Sequence, residues 1–170
     1  MSQRSKRIRS ERSLGCERLE SRYAMDASFT AAKFDFGTAS SPLESGYTRV
    51  THGTLFTPAT GYGWSAGSIS SYDRATGTAL TRDFNYMPDG TFSVNVPNGR
   101  YEVKAILGDL GAYAHDQVGV YVEGIQRDTV STSARQIVNR TYQTDVADQQ
   151  LTFRLRDLGG SDRNAVIEAL

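Results

Sequence analysis

The chain predicts an all-β fold, an antiparallel jelly-roll β-sandwich, on three observations. First, Phe92, Val94 and Val96 alternate with Thr91, Ser93 and Asn95, and Tyr101, Val103, Ala105 and Leu107 continue the alternation. A period of two is the mark of a half-buried strand. Second, Pro88-Asp89-Gly90 and Pro97-Asn98-Gly99 punctuate these runs. In such turns Pro presets φ, Asp or Asn tolerates the bend, and Gly takes a positive φ. Third, nine Tyr, seven Phe and one Trp stand beside sixteen Gly and four Pro in 170 residues, too aromatic for a disordered chain and suited to one β domain with many turns.

The elements follow in order. Residues 1–28 are rich in Arg, Ser and Glu and lack sustained periodicity, which predicts a disordered or partly helical tail. Residues 29–170 read as one β domain. Lys33–Gly37 is a short strand with two aromatics on one face, and Tyr47–His52 and Thr54–Thr57 are short strands around Gly53. Gly61-Tyr62-Gly63-Trp64 leads into a Ser-, Thr-, Ala- and Gly-rich loop, Ser65–Thr81; a loop of that length in a compact domain is functional or disordered. Beyond the opening block come strands at Gln117–Glu123, Ile137–Val146, Leu151–Arg156 and Asn164–Leu170. Eight or more short strands joined by turns favour a jelly roll over a barrel.

Charge excludes some functions. Nineteen basic residues balance nineteen acidic ones, but residues 1–26 hold seven basic and four acidic, leaving twelve and fifteen in the remainder. A mildly acidic body carries no electrostatic footprint for nucleic acid. Cys16 is the only cysteine, so no internal disulfide forms. No apolar run reaches the roughly 18 residues of a membrane-spanning helix. Residues 1–12 also lack the apolar stretch that would make Leu14-Gly15-Cys16 a lipoprotein cleavage box.

Catalytic motifs are wanting. The chain has no Gly-X-Ser-X-Gly elbow, and Leu110 follows Gly108-Asp109 where an esterase of the Gly-Asp-Ser type has its nucleophile. His115 reads as a surface or loop histidine. Asp109, Asp116 and Glu123 are the carboxylates a glycosidase pair would draw on, but a sandwich of this size rarely offers the deep cleft that raises an acid's pKa. No phosphate cradle is present. No cofactor is expected beyond a structural calcium, for which Asp35 near the start and Glu168 near the end are the candidates if their strands are neighbours.

Recognition is the remaining reading. Tyr62, Trp64, Tyr72, Tyr86 and Tyr113 fall in or beside predicted loops, and sugar rings have apolar faces that pack on aromatic planes. Asp116, closing the loop that carries Tyr113, supplies an acceptor for hydroxyls. The candidate ligand-binding set is therefore Trp64, Tyr62, Tyr113, Asp116 and Tyr86.

Two stretches resemble known families. Residues 16–27, with Leu19, Glu20 and Arg22 after a basic head, resemble the N-terminal motif of planctomycete extracellular proteins, which implies export or a cell-surface location. Tyr23-Ala24-Met25 stands where that motif often carries two bulky apolar residues. Phe34-Asp35-Phe36-Gly37, Gly46–Thr51, Gly61–Trp64, Arg82-Asp83-Phe84, Asp89–Phe92, Val96–Val103 and Gly108-Asp109 together resemble the galactose-binding-like and malectin-like β-sandwich module that precedes the catalytic domain of rhamnogalacturonan acetylesterase-type enzymes. The resemblance implies a non-catalytic accessory module with a polysaccharide or glycan ligand, and a catalytic domain or cell-surface component as partner. The alternative is a structural or adhesive sandwich that packs against such a domain without a sugar site of its own.

Overall fold

The computed structural model describes residues 31–170. The N-terminal motif, Cys16 and the boundary expected near residue 28 lie outside the described residues. Alternation produces the strands where the sequence promised them. In β6 (Asp89–Asn95) Phe92 and Val94 are buried, and in β7 (Gly99–Asp109) Val103, Ala105 and Leu107 are buried. Around them run β1 (Phe34–Phe36), β2 (Thr48–Val50), β3 (Tyr62–Gly67), β4 (Ser70–Asp73) and β5 (Asp83–Met87). The chain continues through β8 (His115–Val122), β9 (Ile125–Thr132), β10 (Gln136–Val146), β11 (Gln150–Asp157) and β12 (Ala165–Ile167).

One layer is an antiparallel sheet in the order β3-β6-β11-β8-β9. Facing it are the pair β7-β10, the sheet β12-β5-β4 and the pair β1-β2. The C-terminal segment ties these facing pieces together. It runs along β5 as far as Ile167; then Glu168 N–H donates to Ile106 O at 3.0 Å, and Phe36 N–H donates to Glu168 O at 2.9 Å. Phe36, Trp64 and Phe92 meet edge to face at 5.0–5.6 Å between the layers. Each such fully buried side chain contributes roughly 1.5–3 kcal/mol of hydrophobic stabilisation.

Five expectations are corrected. The two Pro-X-Gly segments do not close hairpins: β5, β6 and β7 belong to three different sheets, so these segments carry the chain from layer to layer. Neither Gly90 nor Gly99 has a positive φ. The span Ser65–Thr81 is not one long loop, since it contains the end of β3 and all of β4. Thr54–Thr57 contributes a single bridge, Leu55 with Trp64, and β1 with β2 is parallel where antiparallel pairing was expected.

Candidate functional site

Strand alternation on β5 divides the chemistry. Asp83, Asn85 and Met87 face inward, where Asn85 Oδ1 accepts from Trp64 Nε1 at 3.1 Å and Met87 joins the core. Phe84 and Tyr86 therefore face outward, beside Tyr72 of β4 and Val166 of β12. Phe84 is nonetheless buried, because loops fold over this outer face. They are the Arg74 turn after β4, the 110–114 connection into β8, and the 158–164 segment before β12. The result is a cleft of about 190 Å³ lined by Tyr72, Arg74, Phe84, Tyr86, Tyr113, His115, Asp162, Asn164 and Val166.

Arg74 is its centrepiece. The guanidinium carbon lies 4.5 Å from the Tyr72 ring, 5.0 Å from Tyr113 and 5.3 Å from Phe84. Its Nε and Nη2 donate to the two oxygens of Asp109 at 2.8 and 2.5 Å, a bidentate fork. Asp109 is fully buried and also accepts Gly111 N–H at 2.6 Å. Burial opposes ionisation of Asp109, yet the Arg74 fork and the Gly111 N–H outweigh it and hold the carboxyl below its ordinary range. Glycine is required at 111, since a Cβ there would lie 2.5 Å from Arg74 Nε.

A second polar line crosses the cleft. His115 Nδ1 is 2.5 Å from Asp162 Oδ2, and its Nε2 is 3.5 Å from Asp109 Oδ2. Asp116 holds the Asp162 loop in place. Its Oδ2 accepts Ser161 N–H at 2.9 Å and Ser161 Oγ–H at 3.0 Å, and its Oδ1 accepts Asp162 N–H at 3.0 Å. These donors keep the Asp116 carboxyl below its ordinary range. Gly160, at φ +113°, makes the approach feasible: a Cβ there would meet Asp116 Oδ2 at 2.6 Å.

The candidate residues thus separate. Tyr86 and Tyr113 line the cleft, and Asp116 braces it from behind. Trp64 does not belong to it. At 4 % exposure, locked between Phe36 and Phe92, it is a core residue and offers no face to a ligand. Tyr62 is half-buried with its ring 5.2 Å from Phe34, packed on the core away from the cleft. His115 is corrected too: it is buried at the start of β8, not exposed in a loop. Arg74, Asp162 and Asn164 were missed because their convergence depends on strands 35 or more residues apart; the one local hint was an Arg beside Tyr72 in a polar stretch.

The calcium candidates Asp35 and Glu168 lie in the buried C-terminal seam. The strands of Asp35 and Glu168 are neighbours, as expected, with Asp35 bridged to Ala169. Glu168 is fully buried, however, and neither carboxylate oxygen has a hydrogen-bond partner among the described residues. Burial, reinforced by Asp109, Asp83 and Asp35, pushes its pKa up to about 9, which leaves it protonated at neutral pH. Burial likewise raises Asp35 to about 6 against the pull of Glu44 N–H, and raises Asp83. Among the described residues no three His, Cys, Asp or Glu side chains converge to hold a metal ion. Asp35 and Glu168 are thus buried acids on neighbouring strands.

Comparison with known proteins gives this geometry a family. The chain is 32% identical over 139 residues to Beta-agarase A of Zobellia galactanivorans, covering 78% of the chain and 25% of that protein. It is 30% identical over 127 residues to the uncharacterized esterase YxiM of Bacillus subtilis, covering 71% of the chain and 31% of that protein. The crystal structure of YxiM superposes with a TM-score of 0.63 at 26% identity, covering 81% of this chain and 38% of that one. The chain therefore spans a quarter to a third of the length of these curated relatives. Residues 32–166 match the family described as β-agarase/YxiM esterase-like, galactose-binding domain-like, and the chain belongs to that family of β-sandwich domains.

Proposed function

We propose that this chain is a non-catalytic carbohydrate-binding domain that acts outside the cell and holds a glycan in the Tyr72–Tyr113 cleft. The observation that carries the reading is the cleft's composition. Aromatic faces from Tyr72, Tyr86 and Tyr113 suit the apolar faces of a sugar ring. The polar atoms of Arg74, Asp162 and Asn164, fixed by a braced network, suit its hydroxyls. Membership of a galactose-binding-like family supports the same ligand class.

The non-catalytic part rests on His115, the histidine of the cleft. Both of its ring nitrogens face carboxylates, so neither is free to serve a nucleophile as base. The extracellular part rests on the resemblance of residues 16–27 to an export motif and on the polysaccharide named by one relative. Isothermal titration of the full chain against a panel of neutral and acidic oligosaccharides tests the reading. Binding that weakens about tenfold in Tyr113→Ala supports it; no heat with any glycan at millimolar concentration contradicts it. The second reading, a sandwich that only packs against a catalytic domain, is favoured by the greater length of both relatives. It gains if the panel is silent.

A further inference from the structure

We infer that the cleft accepts an uncharged sugar unit and discriminates against uronic acids and sulfated sugars. The inference rests on the sugar-binding reading and names the substrate class of that same site.

Charge is the first argument. Among the described residues Arg74 is the one fixed cation that lines the cleft, and the fully buried Asp109 already neutralises it through two hydrogen bonds. Asp162 adds a second carboxylate. With a neutral His115 the group carries one positive and two negative charges; with a protonated His115 it carries two of each. In neither state is there net positive charge to balance an incoming anion. Arg163 is exposed and does not line the cleft, and Asp116 adds another negative charge behind it.

Geometry is the second. Recognition of a carboxylate or sulfate by arginine relies on two parallel N–H groups. Arg74 has committed Nε and Nη2 to Asp109, and its planes are covered by Tyr72, Tyr113 and Phe84. The N–H groups that remain, two on Nη1 and one on Nη2, belong to a charge that Asp109 already balances, so they serve hydroxyl acceptors without a net attraction for an anion. The opposite rim offers a carboxylate: Asp162 Oδ1 has a single long contact, from Asn164 Nδ2 at 3.4 Å. An ionised carboxylate only accepts, so its natural partner is a hydroxyl donor. A uronate carboxylate brought beside it would add like-charge repulsion to the cost of its own desolvation.

Size is the third. At about 190 Å³ the cleft is smaller than the roughly 300–1,000 Å³ that holds a drug-sized ligand, so it takes one sugar ring and exposes that ring's substituents to the charges just described.

The test uses the full chain and matched pairs. Galactotetraose is compared with tetragalacturonate, and a gluco-configured tetraose with its glucuronate counterpart, so that each pair differs only in the carboxylate at C6. By calorimetry the neutral member should bind about tenfold or more tightly than its uronate, as a single unfavourable charge contact requires. Raising salt should narrow that ratio through screening. Asp162→Asn, checked for folding by its melting curve, should narrow it as well. If Asp162→Asn fails to fold, the salt series alone carries the test. A uronate that binds as tightly as its neutral partner, or more tightly, overturns the inference while leaving sugar binding intact. Silence from all four ligands overturns sugar binding itself, and the inference with it.

Discussion

His115 Nδ1 stands 2.5 Å from Asp162 Oδ2, a contact that joins β8 to a loop 47 residues further along the chain. It pins the far wall of the cleft to the same histidine whose Nε2 faces the buried Asp109. His115→Ala removes both contacts and leaves Asp162 without that partner. Urea denaturation should show a loss of about 1–3 kcal/mol, since a part-buried charge-assisted hydrogen bond is broken from one side. Affinity for the sugar should fall with it, because the wall is no longer held.

Tyr113 presents the opposite case. It is 62 % exposed and its ring is held chiefly by Arg74. Tyr113→Ala should leave stability within about 0.5 kcal/mol of the parent. Sugar affinity should fall about tenfold, the loss of one aromatic platform. Paired denaturation and calorimetry read the two quantities separately.

Trp64 supplies a spectroscopic control. It is the chain's one tryptophan, it is buried, and its Nε1 is bound to Asn85. Its emission should be blue-shifted in the folded protein and unchanged by saturating glycan, because ligand and indole do not meet. Trp64→Phe should cost about 1–3 kcal/mol by leaving Asn85 Oδ1 without its donor in the core. Sugar binding by the folded fraction should persist.

Glu168 makes stability depend on pH. Its folded pKa of about 9 lies above the ordinary 4.5, so between those values the folded state holds a proton that the unfolded state has lost. Stability is therefore greatest at the acid end of that window and falls as pH rises through it. Glu168→Gln cannot ionise and should flatten the upper part of the slope. Asp35, raised to about 6, adds a slope of the same sign over a narrower window at lower pH. Melting temperatures across pH 5–9 measure both effects.

The strands were legible because burial on one face leaves a period of two in the sequence, as in Phe92, Val94 and Val96. The layering was not legible. Nothing local shows that Pro88 and Pro97 change sheets instead of closing hairpins, because sheet membership is set by partners 50 or more residues away, such as Gln150 opposite Asn95. β9 went unnoticed for a related reason: its outer residues are exposed and polar, and only Val130 and Thr132 are buried. Of the residues that line the cleft, Tyr113 and Tyr86 could be named as aromatics beside turn signals. Arg74, His115 and Asp162 could not, since a salt-bridged or hydrogen-bonded role exists only once the fold brings the partners together. Trp64 misled because an aromatic beside glycine resembles a loop residue, whereas Gly63 lets β3 lie close to Leu55 and Phe56.

The central claim is that sugar enters the cleft between Tyr72 and Tyr113. Titrating ¹⁵N-labelled protein with a neutral galacto-oligosaccharide, and following each backbone amide by NMR, tests it most directly. Shifts confined to the segments around Tyr72–Arg74, Gly111–Asp116 and Ser161–Asn164 are expected, with Tyr62 and Trp64 unmoved. Shifts that cluster at Tyr62 and Trp64, or anywhere else on the sandwich while those three segments stay still, would contradict it.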